Sequence, residues 1–327
     1  MKKYLYSGII LSLLLITVLS GCGGGNPGGG ISHTIYAATQ GGLSISSDGG
    51  KTFANYTMAN GLLHDTVFGV YVSEGIIYAA TANGLAISSD GGKTFANCLM
   101  FNTGLADNTV KGVYVSGTTV YAATQGGLSI SGDGGKHFTN YLVGKNVKGV
   151  YVSGTTIYAS TETGLWVSDD GGTSFSQYTT SNFLCSDYVY GVYVSGTTIF
   201  VATQGGLSVC SDGHYNFTTR YTITDGLESN NVYGVYVSGT TIYAATQGGL
   251  AISTNGGTTF TNYTAAANGL GSDWVYGFYV SGTTIYAATF GGGLAISTNG
   301  GTTFTNYTKA VNGLGSDNVY GVYVSGK

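Results

Sequence analysis

The octapeptide SSDGGKTF begins at Ser46 and again at Ser88, and it contains an aspartate, two glycines and a lysine followed by threonine. A nucleotide-binding loop has the form GxxxxGK[ST], in which the first glycine lets backbone N–H groups approach a phosphate. That first position is occupied by Ile45 in one copy and by Ile87 in the other. The sequence therefore predicts that neither segment is a phosphate-binding loop.

Five related segments begin at residues 131, 168, 210, 253 and 297, and the last two contain Asn255 and Asn299 instead of aspartate. Asparagine keeps an oxygen that accepts hydrogen bonds in a turn, but it lacks the charge required to bind a cation or to act as a general base. We interpret all seven segments as turns and call them the SxD turns. Their predicted structural residues are Ser46, Asp48, Gly50, Phe53, Ser88, Asp90, Gly92, Phe95, Asp133, Asp170, Asp212, Asn255 and Asn299.

The other residue types that could do chemistry form no recognisable catalytic or metal-binding motif. The histidines lack HxxxH and HExxH spacing, and no GxSxG segment occurs. Beyond residue 22 the cysteines are odd in number and unrelated in position, which argues against a disulfide framework or a zinc site. The sequence thus predicts no metal site, no cofactor and no catalytic residue. The histidines and cysteines to which this applies are His33, His64, His137, His214, Cys98, Cys185 and Cys210.

The N-terminus has the pattern of an export signal. Two lysines precede an apolar run from Ile9 to Leu19, and Leu-Ser-Gly-Cys ends at Cys22. We predict a signal peptide over residues 1–21. The Leu-Ser-Gly-Cys ending resembles the lipobox of bacterial lipoproteins, which implies lipidation of Cys22 and a membrane anchor. Residues 22–30 are then a glycine-rich tether, and the protein is expected at the bacterial cell envelope, on the outer membrane or the cell surface.

Removal of residues 1–21 leaves 9 basic and 15 acidic residues, because 2 of the 11 lysines and arginines lie in that segment. Nucleic-acid binding requires a basic surface, so a nucleic-acid partner is not expected.

A repeat of about 40 residues organises the rest of the chain. GVYV begins at Gly69, and it or the variant GFYV recurs at Gly112, Gly149, Gly191, Gly234, Gly277 and Gly321. Each unit contains four short segments rich in Val, Ile, Tyr and Thr, separated by Gly, Asn or Ser turns. This pattern predicts an all-β, seven-bladed β-propeller of four-stranded blades over residues 31–327. Because the chain begins at a second strand and ends on a first strand, we expect the last strand to close the ring.

The SxD turns resemble the Asp-box repeats of sialidases, sortilin-like receptors and related propellers. The segment NGLGSDNVYGVYVSG, together with TQGGL, also resembles the repeats of periplasmic sensor propellers of bacterial two-component systems. Resemblance to sialidases implies three substrate-binding arginines, but Arg220 is the only arginine in the sequence. Resemblance to Asp-box xyloglucanases implies two catalytic carboxylates, for which no pair stands out among Asp65, Glu162, Asp187, Glu228, Asp273 and Asp317.

The repeats differ most in the loop that enters each first strand. Propeller geometry places these loops around the central channel, where they would form a polar ring of Asp65, Asn108, Lys145, Asp187, Asn230, Asp273 and Asp317. Tyr188 and Trp274 lie beside this ring, and the channel mouth is predicted to contain Phe68, Lys111, Lys148, Tyr190, Tyr233, Tyr276 and Tyr320. Two interpretations are open: Asp and Asn cap turns while tyrosines pack between blades, or the residues form a binding surface with aromatic anchors.

One connecting loop, residues 142–146, is about six residues shorter than its neighbours. We expect a notch there, flanked by Lys145 and Lys148 with Lys111 one blade away, in which an acidic glycan or a protein loop could dock. The sequence as a whole predicts a monomeric, lipid-anchored propeller that binds a protein or glycan of the envelope without catalysis. A glycoside hydrolase is the alternative.

Overall fold

The computed structural model describes residues 33 to 326. Residues 1–32 and Lys327 lie outside this range, so the predicted signal peptide, the lipidated Cys22 and the tether are not part of the structure described here. The described chain forms 28 strands arranged in seven antiparallel sheets of four strands. This confirms the predicted all-β, seven-bladed propeller.

The strands are short because turn residues interrupt the β-forming residues every few positions. In chain order they are β1 (Thr34–Thr39), β2 (Gly42–Ser46) and β3 (Ala54–Tyr56) in blade 1; β4 (Val67–Ser73), β5 (Ile76–Thr81), β6 (Gly84–Ser88) and β7 (Ala96–Cys98) in blade 2; β8 (Val110–Ser116), β9 (Thr119–Thr124), β10 (Gly127–Ser131) and β11 (Thr139–Tyr141) in blade 3; β12 (Val147–Ser153), β13 (Thr156–Thr161), β14 (Gly164–Ser168) and β15 (Ser176–Tyr178) in blade 4; β16 (Val189–Ser195), β17 (Thr198–Thr203), β18 (Gly206–Cys210) and β19 (Thr219–Tyr221) in blade 5; β20 (Val232–Ser238), β21 (Thr241–Thr246), β22 (Gly249–Ser253) and β23 (Thr261–Tyr263) in blade 6; β24 (Val275–Ser281), β25 (Thr284–Thr289), β26 (Gly293–Ser297) and β27 (Thr305–Tyr307) in blade 7; and β28 (Val319–Ser325).

The last strand returns to the first blade. β28 pairs with β1 in the register Ile35↔Val324, Tyr36↔Tyr323 and Ala37↔Val322, so blade 1 has the strand order β28-β1-β2-β3. Val319 and Val324 are almost completely buried at this junction. The predicted closure of the ring is therefore confirmed, and blade 1 has four strands like the other six blades.

A helical turn occurs in six of the seven connections between blades. Three are α-helical, α1 (Met100–Thr103), α2 (Ala265–Asn268) and α3 (Lys309–Asn312), and three are 3-10 turns, Met58–Asn60, Thr180–Asn182 and Ile223–Asp225. Residues 142–146, the short connection between blades 3 and 4, have none. These connections and the turns between second and third strands share one face of the ring, which we call the loop face. The SxD turns lie on the opposite face, which we call the SxD face.

Each of the seven core clusters is built from two neighbouring blades. In one of them, Ile35 and Val319 of blade 1 pack with Leu294 and Ile296 of blade 7. Fully buried alanines such as Ala37 and Ala288 stand in the second strands, where a larger side chain would push two sheets apart. The hydrophobic residues of each blade are thus covered only when both neighbours are present.

Six of the seven SxD turns share one hydrogen-bonding pattern, whereas in blade 5 Cys210 replaces the serine and donates from Sγ to Asp212 at 3.1 Å. In blade 2 the Ser88 hydroxyl accepts from the Gly92 N–H at 2.8 Å and donates to Asp90 Oδ1 at 2.8 Å. Asp90 also accepts from the N–H and the hydroxyl of Thr94 at 2.9 and 2.6 Å. In blade 6, Asn255 Oδ1 accepts from the Ser253 hydroxyl at 2.9 Å and from the Thr259 N–H at 3.0 Å. Asparagine therefore accepts the same hydrogen bonds as aspartate and holds the turn, although its side chain carries no charge.

The aspartates of these turns are exposed but strongly hydrogen-bonded. Bonds from the Thr94 hydroxyl, the Thr94 N–H and the Ser88 hydroxyl lower the pKa of Asp90 from 3.8 to about 2. A depressed pKa in the folded state means that the ionised carboxylate adds stability above pH 3.8 and that this contribution is lost as the pH falls toward 2.

We predict that Ser88→Ala and Asp90→Asn have very different effects on the free energy of unfolding at pH 7. Ser88→Ala leaves the buried Gly92 N–H without its acceptor, which should lower the free energy of unfolding by about 1 to 3 kcal/mol. Asp90→Asn should be nearly silent at pH 7, because Asn255 already serves in blade 6. It should also weaken the loss of stability between about pH 4 and pH 2. Denaturant titrations across this pH range measure both effects, and equal losses for the two variants at pH 7 would contradict the prediction.

Candidate functional site

The seven predicted channel-mouth residues come together on the loop face. They line a cavity of about 250 Å³ at the entrance of the central channel: Phe68, Lys111, Lys148, Tyr190, Tyr233, Tyr276 and Tyr320. Each is the second residue of an inner strand, so each blade contributes one side chain to the ring. The mouth contains five aromatic rings and two lysines, and no carboxylate is among the residues that line it.

The aromatic residues form a continuous arc around most of the mouth. Ring centroids lie 5.7 Å apart for Phe68 and Tyr320, 5.5 Å for Tyr320 and Tyr276, 5.3 Å for Tyr276 and Tyr233, and 4.9 Å for Tyr233 and Tyr190. Such tilted contacts fix the orientation of the rings.

Blade 7 extends this arc with two further rings. Trp274 stacks on Tyr233 with an interplanar angle of 20° and also contacts Phe290, with ring centroids 5.2 Å apart. Phe290 is 37% exposed and occupies the position that is glutamine in four other blades. Trp274 was predicted from the sequence to lie beside the polar ring of loop residues, whereas Phe290 was not predicted. The sequence signal for Phe290 was that it replaces the glutamine found at this position in four other blades.

The two lysines close the ring on the side of blades 3 and 4. Lys111 Nζ lies 4.0 Å from the centroid of the Phe68 ring. Lys148 Nζ forms an ion pair with Glu162 at 2.6 Å and lies 5.3 Å from the Tyr188 ring. Tyr188 also donates to Glu162 through its hydroxyl at 3.2 Å. The mouth therefore has a cationic side whose charge Glu162 partly neutralises.

The pKa values on this side follow from burial and from the ion pair. Burial, together with the neighbouring Lys148, lowers the pKa of Lys111. Burial opposes the charge of Lys148 as well, but hydrogen bonds to Glu162 and Tyr188 raise its pKa overall. The hydrogen bond from Lys148 is the main reason that the pKa of Glu162 is lowered. Glu162 is thus held ionised, which suits an anchoring group better than a general acid.

The predicted polar ring has a structural role in the loops. In six connections, a side-chain oxygen of this ring accepts a hydrogen bond from the first N–H of the helical turn, at distances of 2.6 to 2.9 Å. The acceptors are Asp65, Asn108, Asp187, Asn230, Asp273 and Asp317. The seventh member, Lys145, stands in the one connection without a helical turn. Capping of the helical turn accounts for the Asp or Asn in these six connections.

The short loop between blades 3 and 4 is accompanied by a large side chain beneath it. Trp166 of β14 stands where the other blades have Ser or Ala, and it packs in the same core cluster as Leu142. Lys145 Nζ lies 5.4 Å from the centroid of the Trp166 ring. The three lysines of the predicted notch therefore have different surroundings, since Lys111 and Lys148 line the mouth and Lys145 contacts Trp166.

The loop face carries the exposed apolar side chains of the described chain. Phe101 is 83% exposed, Val311 80% and Val143 74%, and all three lie in connections between blades. The remaining large apolar residues that are exposed are on the same face: Met58, Met100, Phe183, Ile223 and Phe290. None of the eight lies on the SxD face. Exposed apolar residues concentrated on one side of a molecule are typical of an interaction surface.

A belt of tyrosines that was not predicted from the sequence surrounds the channel below the mouth. It consists of the tyrosine in each GVYV segment: Tyr71, Tyr114, Tyr151, Tyr193, Tyr236, Tyr279 and Tyr323. Six adjacent pairs have ring centroids 5.1 to 5.5 Å apart. Burial raises the pKa of Tyr71 and of Tyr151, so both hydroxyls stay protonated at neutral pH. Exact recurrence in all seven units was the signal for this belt.

The remaining polar candidates have ordinary structural partners. Arg220, the only arginine in the sequence, donates from Nε to the Phe183 carbonyl at 3.0 Å. In blade 2, Asn97 stands at the same register position and donates to the Gly61 carbonyl at 2.9 Å. His137 contacts Asp133 at 2.7 Å within its SxD turn. Between residues 33 and 326 no group of three or more His, Cys, Asp or Glu side chains is arranged to hold a metal ion. Over the same residues, no helix is long and apolar enough to cross a bilayer.

Comparison with known proteins shows the fold. No protein-family model matches the chain, and no curated protein matches it. Among solved structures, it is similar to the extracellular domain of BT3049 from B. thetaiotaomicron, described as a hybrid two-component system, with a TM-score of 0.62 and 20% identity over 74% of this chain. The chain spans only 35% of the length of that domain.

Two further structures extend the comparison. YCF48 bound to D1 peptide has a TM-score of 0.61 and 13% identity, with 78% of this chain and 86% of YCF48 covered. An ancestral GH74 enzyme has a TM-score of 0.53 and 15% identity, with 86% and 53% covered. At these identities the shared feature is the propeller itself, since one fold supports many functions.

We predict that the polar ring contributes to stability through its capping bonds. Asp273→Ala should lower the free energy of unfolding by about 0.5 to 1.5 kcal/mol, because the Ala265 N–H loses its acceptor. Asp273→Asn should retain stability, as Asn108 and Asn230 occupy the same position elsewhere. Lys145→Ala is the matched control, since its loop has no helical turn to cap, and urea titrations should show little change. A larger loss for Lys145→Ala than for Asp273→Ala would contradict this role.

Proposed function

We propose that this protein is a non-catalytic binding or scaffolding module of the bacterial cell envelope that engages a protein or glycan ligand through its loop face. The observation that carries this proposal is the confinement of all eight exposed large apolar side chains to that face. Structural need does not explain the distribution, because the same blades expose no large apolar side chain on the SxD face.

The mouth would be the centre of the binding surface. Tyr233, Tyr276, Trp274 and Phe290 supply rigid aromatic area, which is typical of residues that dominate binding energy. Lys111 and Lys148 stand on the opposite side and suit an anionic group. A ligand that covers the mouth would therefore place an aromatic, apolar or sugar-ring surface on blades 6 and 7 and a negative charge on blades 3 and 4.

The glycoside hydrolase alternative has less support from the geometry. Hydrolysis of this type needs two carboxylates on either side of the scissile bond. The mouth has no carboxylate among its lining residues, and Glu162 at its edge is engaged with Lys148. Of the other candidates, Asp65, Asp187, Asp273 and Asp317 each cap a helical turn. The similarity to a GH74 enzyme concerns the fold and supplies no catalytic pair.

The envelope location rests on the N-terminal sequence. Export by a signal peptide and lipidation of Cys22 would hold the propeller at a membrane through residues 22–30. We also infer that the SxD turns are Asp-box repeats, which the shared Ser–Asp or Ser–Asn hydrogen-bonding pattern supports. The propeller is expected to act as a monomer, since the ring is closed by its own last strand.

We predict that substitutions on the loop face weaken ligand capture. The purified protein would be immobilised and exposed to bacterial envelope extract and, separately, to a glycan array. Trp274→Ala with Phe290→Ala should reduce retention of the captured protein or glycan by about tenfold or more if the mouth is the centre of binding. Phe101→Ser with Val311→Ser should do so if the outer edge of the face is used.

The matched control is Lys51→Ala with Lys93→Ala, which changes two exposed residues of the SxD face. This variant should retain the ligand at the level of the parent protein. Circular dichroism and melting curves would establish that all three variants are folded. Undiminished capture by both loop-face variants, or an equal loss in the control, would overturn the assignment of the loop face.

We predict that Cys22→Ala abolishes lipidation and releases the protein from membranes. In lipoproteins with this ending, the lipid is attached to the sulfur of the cysteine, and the alanine side chain has no sulfur. Membrane fractionation and the mass of the mature protein measure the effect, with Cys185→Ala as the control. An unchanged mass and unchanged fractionation in Cys22→Ala would contradict lipidation.

A further inference from the structure

A groove between blades 2 and 3 on the SxD face has a volume of about 470 Å³. The corresponding groove between blades 5 and 6 has only about 220 Å³. The two are lined by residues at the same register positions, Ile87 and Ala96 in the first and Val209 and Thr219 in the second. The same molecule thus contains one groove in a wide form and one in a narrow form.

The two grooves differ in several lining residues and in the side chain that ends the outer strand. In six blades this strand ends in tyrosine: Tyr56, Tyr141, Tyr178, Tyr221, Tyr263 and Tyr307. In blade 2 the residue at this position is Cys98, which pairs with Leu85 as Tyr221 pairs with Leu207. A thiol fills much less space than a phenol ring, and in blade 2 no ring of the outer strand lines the groove.

The tyrosine in the narrow groove shows how an aromatic ring is held there. Tyr221 donates from its hydroxyl to the Gly256 carbonyl at 3.2 Å, and its ring packs edge-on against Phe260 with centroids 5.2 Å apart. The ring also covers Gly257 of the next SxD turn. Aromatic packing, one hydrogen bond and a flat glycine surface therefore define the binding geometry.

The wide groove keeps these partners but lacks the ring. Gly134 corresponds to Gly256 and lines the groove, and Phe138 corresponds to Phe260. Ile87 covers Gly135 in place of a phenol. Cys98 is 4% exposed and donates from Sγ to the Gly135 carbonyl at 3.2 Å. Burial raises the pKa of Cys98 to about 11, so its thiol is a packing group and not a nucleophile.

We propose that the groove between blades 2 and 3 binds a small phenol-type ligand whose ring packs on Ile87, which here takes the place of the tyrosine ring of the other six blades, and whose hydroxyl donates to the Gly134 carbonyl. Ile76, Tyr78, Ile87 and Ala96 provide the apolar walls. Glu74, Asp133 and Lys136 lie at the edge and face the substituents of the ring. This site is on the opposite face from the proposed loop-face surface and does not depend on it.

The test uses p-cresol, which is the tyrosine side chain without its backbone, titrated into the purified protein and followed by calorimetry and ligand-observed NMR. We expect saturable binding at one site. Toluene, which has no hydroxyl, should bind about fivefold more weakly because it cannot donate to Gly134. Absence of saturable p-cresol binding would overturn the proposal, and equal affinity for toluene would overturn the role of the hydroxyl.

Two reciprocal variants assign the site. Cys98→Tyr should fill the groove from within and weaken p-cresol binding by about tenfold or more. Tyr221→Cys should widen the groove between blades 5 and 6 and raise the number of p-cresol sites from one to two. Unchanged affinity in a folded Cys98→Tyr would contradict the assignment. If Cys98→Tyr fails to fold because the new ring collides with Ile87, Tyr221→Cys is the remaining test. A Tyr221→Cys protein that binds p-cresol at one site only would also contradict the assignment.

Discussion

The structure depends on the packing of each sheet between two neighbours. A four-stranded blade is apolar on both faces, so neither face can be left in water without a large hydrophobic cost. Every core cluster therefore draws its residues from two adjacent blades, and a row of such blades is complete only as a ring. The pairing of β28 with β1 satisfies this condition, since it gives blade 1 the inner strand that contacts the blades on either side.

Once the ring is closed, the turns need only join strands at fixed distances, and one set of hydrogen bonds serves repeatedly. Ser88 and Asp90 hold an SxD turn in the same way as Ser253 and Asn255. This reuse explains why charge is dispensable in the turns while the side-chain oxygen recurs in all seven and the serine hydroxyl in six. It also means that residues which break the repeat stand out against a uniform background, and three of them have visible consequences. Cys98 replaces a tyrosine in the outer strand whose Ala96 lines the wider groove, Trp166 accompanies a shortened loop and Phe290 adds a ring to the mouth.

The two faces of the ring have different chemistry although the same blades build both. On the SxD face, hydroxyls, carboxylates and amides satisfy one another within each turn, no large apolar side chain is exposed, and apolar walls occur within the grooves between blades. On the loop face, Lys148 and Glu162 form an ion pair beside an arc of aromatic rings, and apolar residues such as Phe101 and Val311 are exposed. A ligand gains from covering apolar surface, whereas covering the SxD face would displace water from groups that are already satisfied. This difference is the physical basis for the proposal that a ligand binds the loop face.

The sequence by itself determined the number of blades, the four strands of each blade, the closure by the last strand and the membership of the mouth ring. These features follow from periodicity, because a residue that recurs in every unit occupies an equivalent position in a closed ring. Tertiary structure alone decided what the residues contact. The sequence could not distinguish Asp273 as a cap from Asp273 as a ligand-binding group, since both roles need an exposed acceptor, and the Ala265 N–H within reach identified the cap. The pairing of Lys148 with Glu162 and the open groove beside Cys98 likewise depend on distances across neighbouring strands and blades. Such distances are set by the packing of sheets and are not encoded in the spacing of residues along the chain.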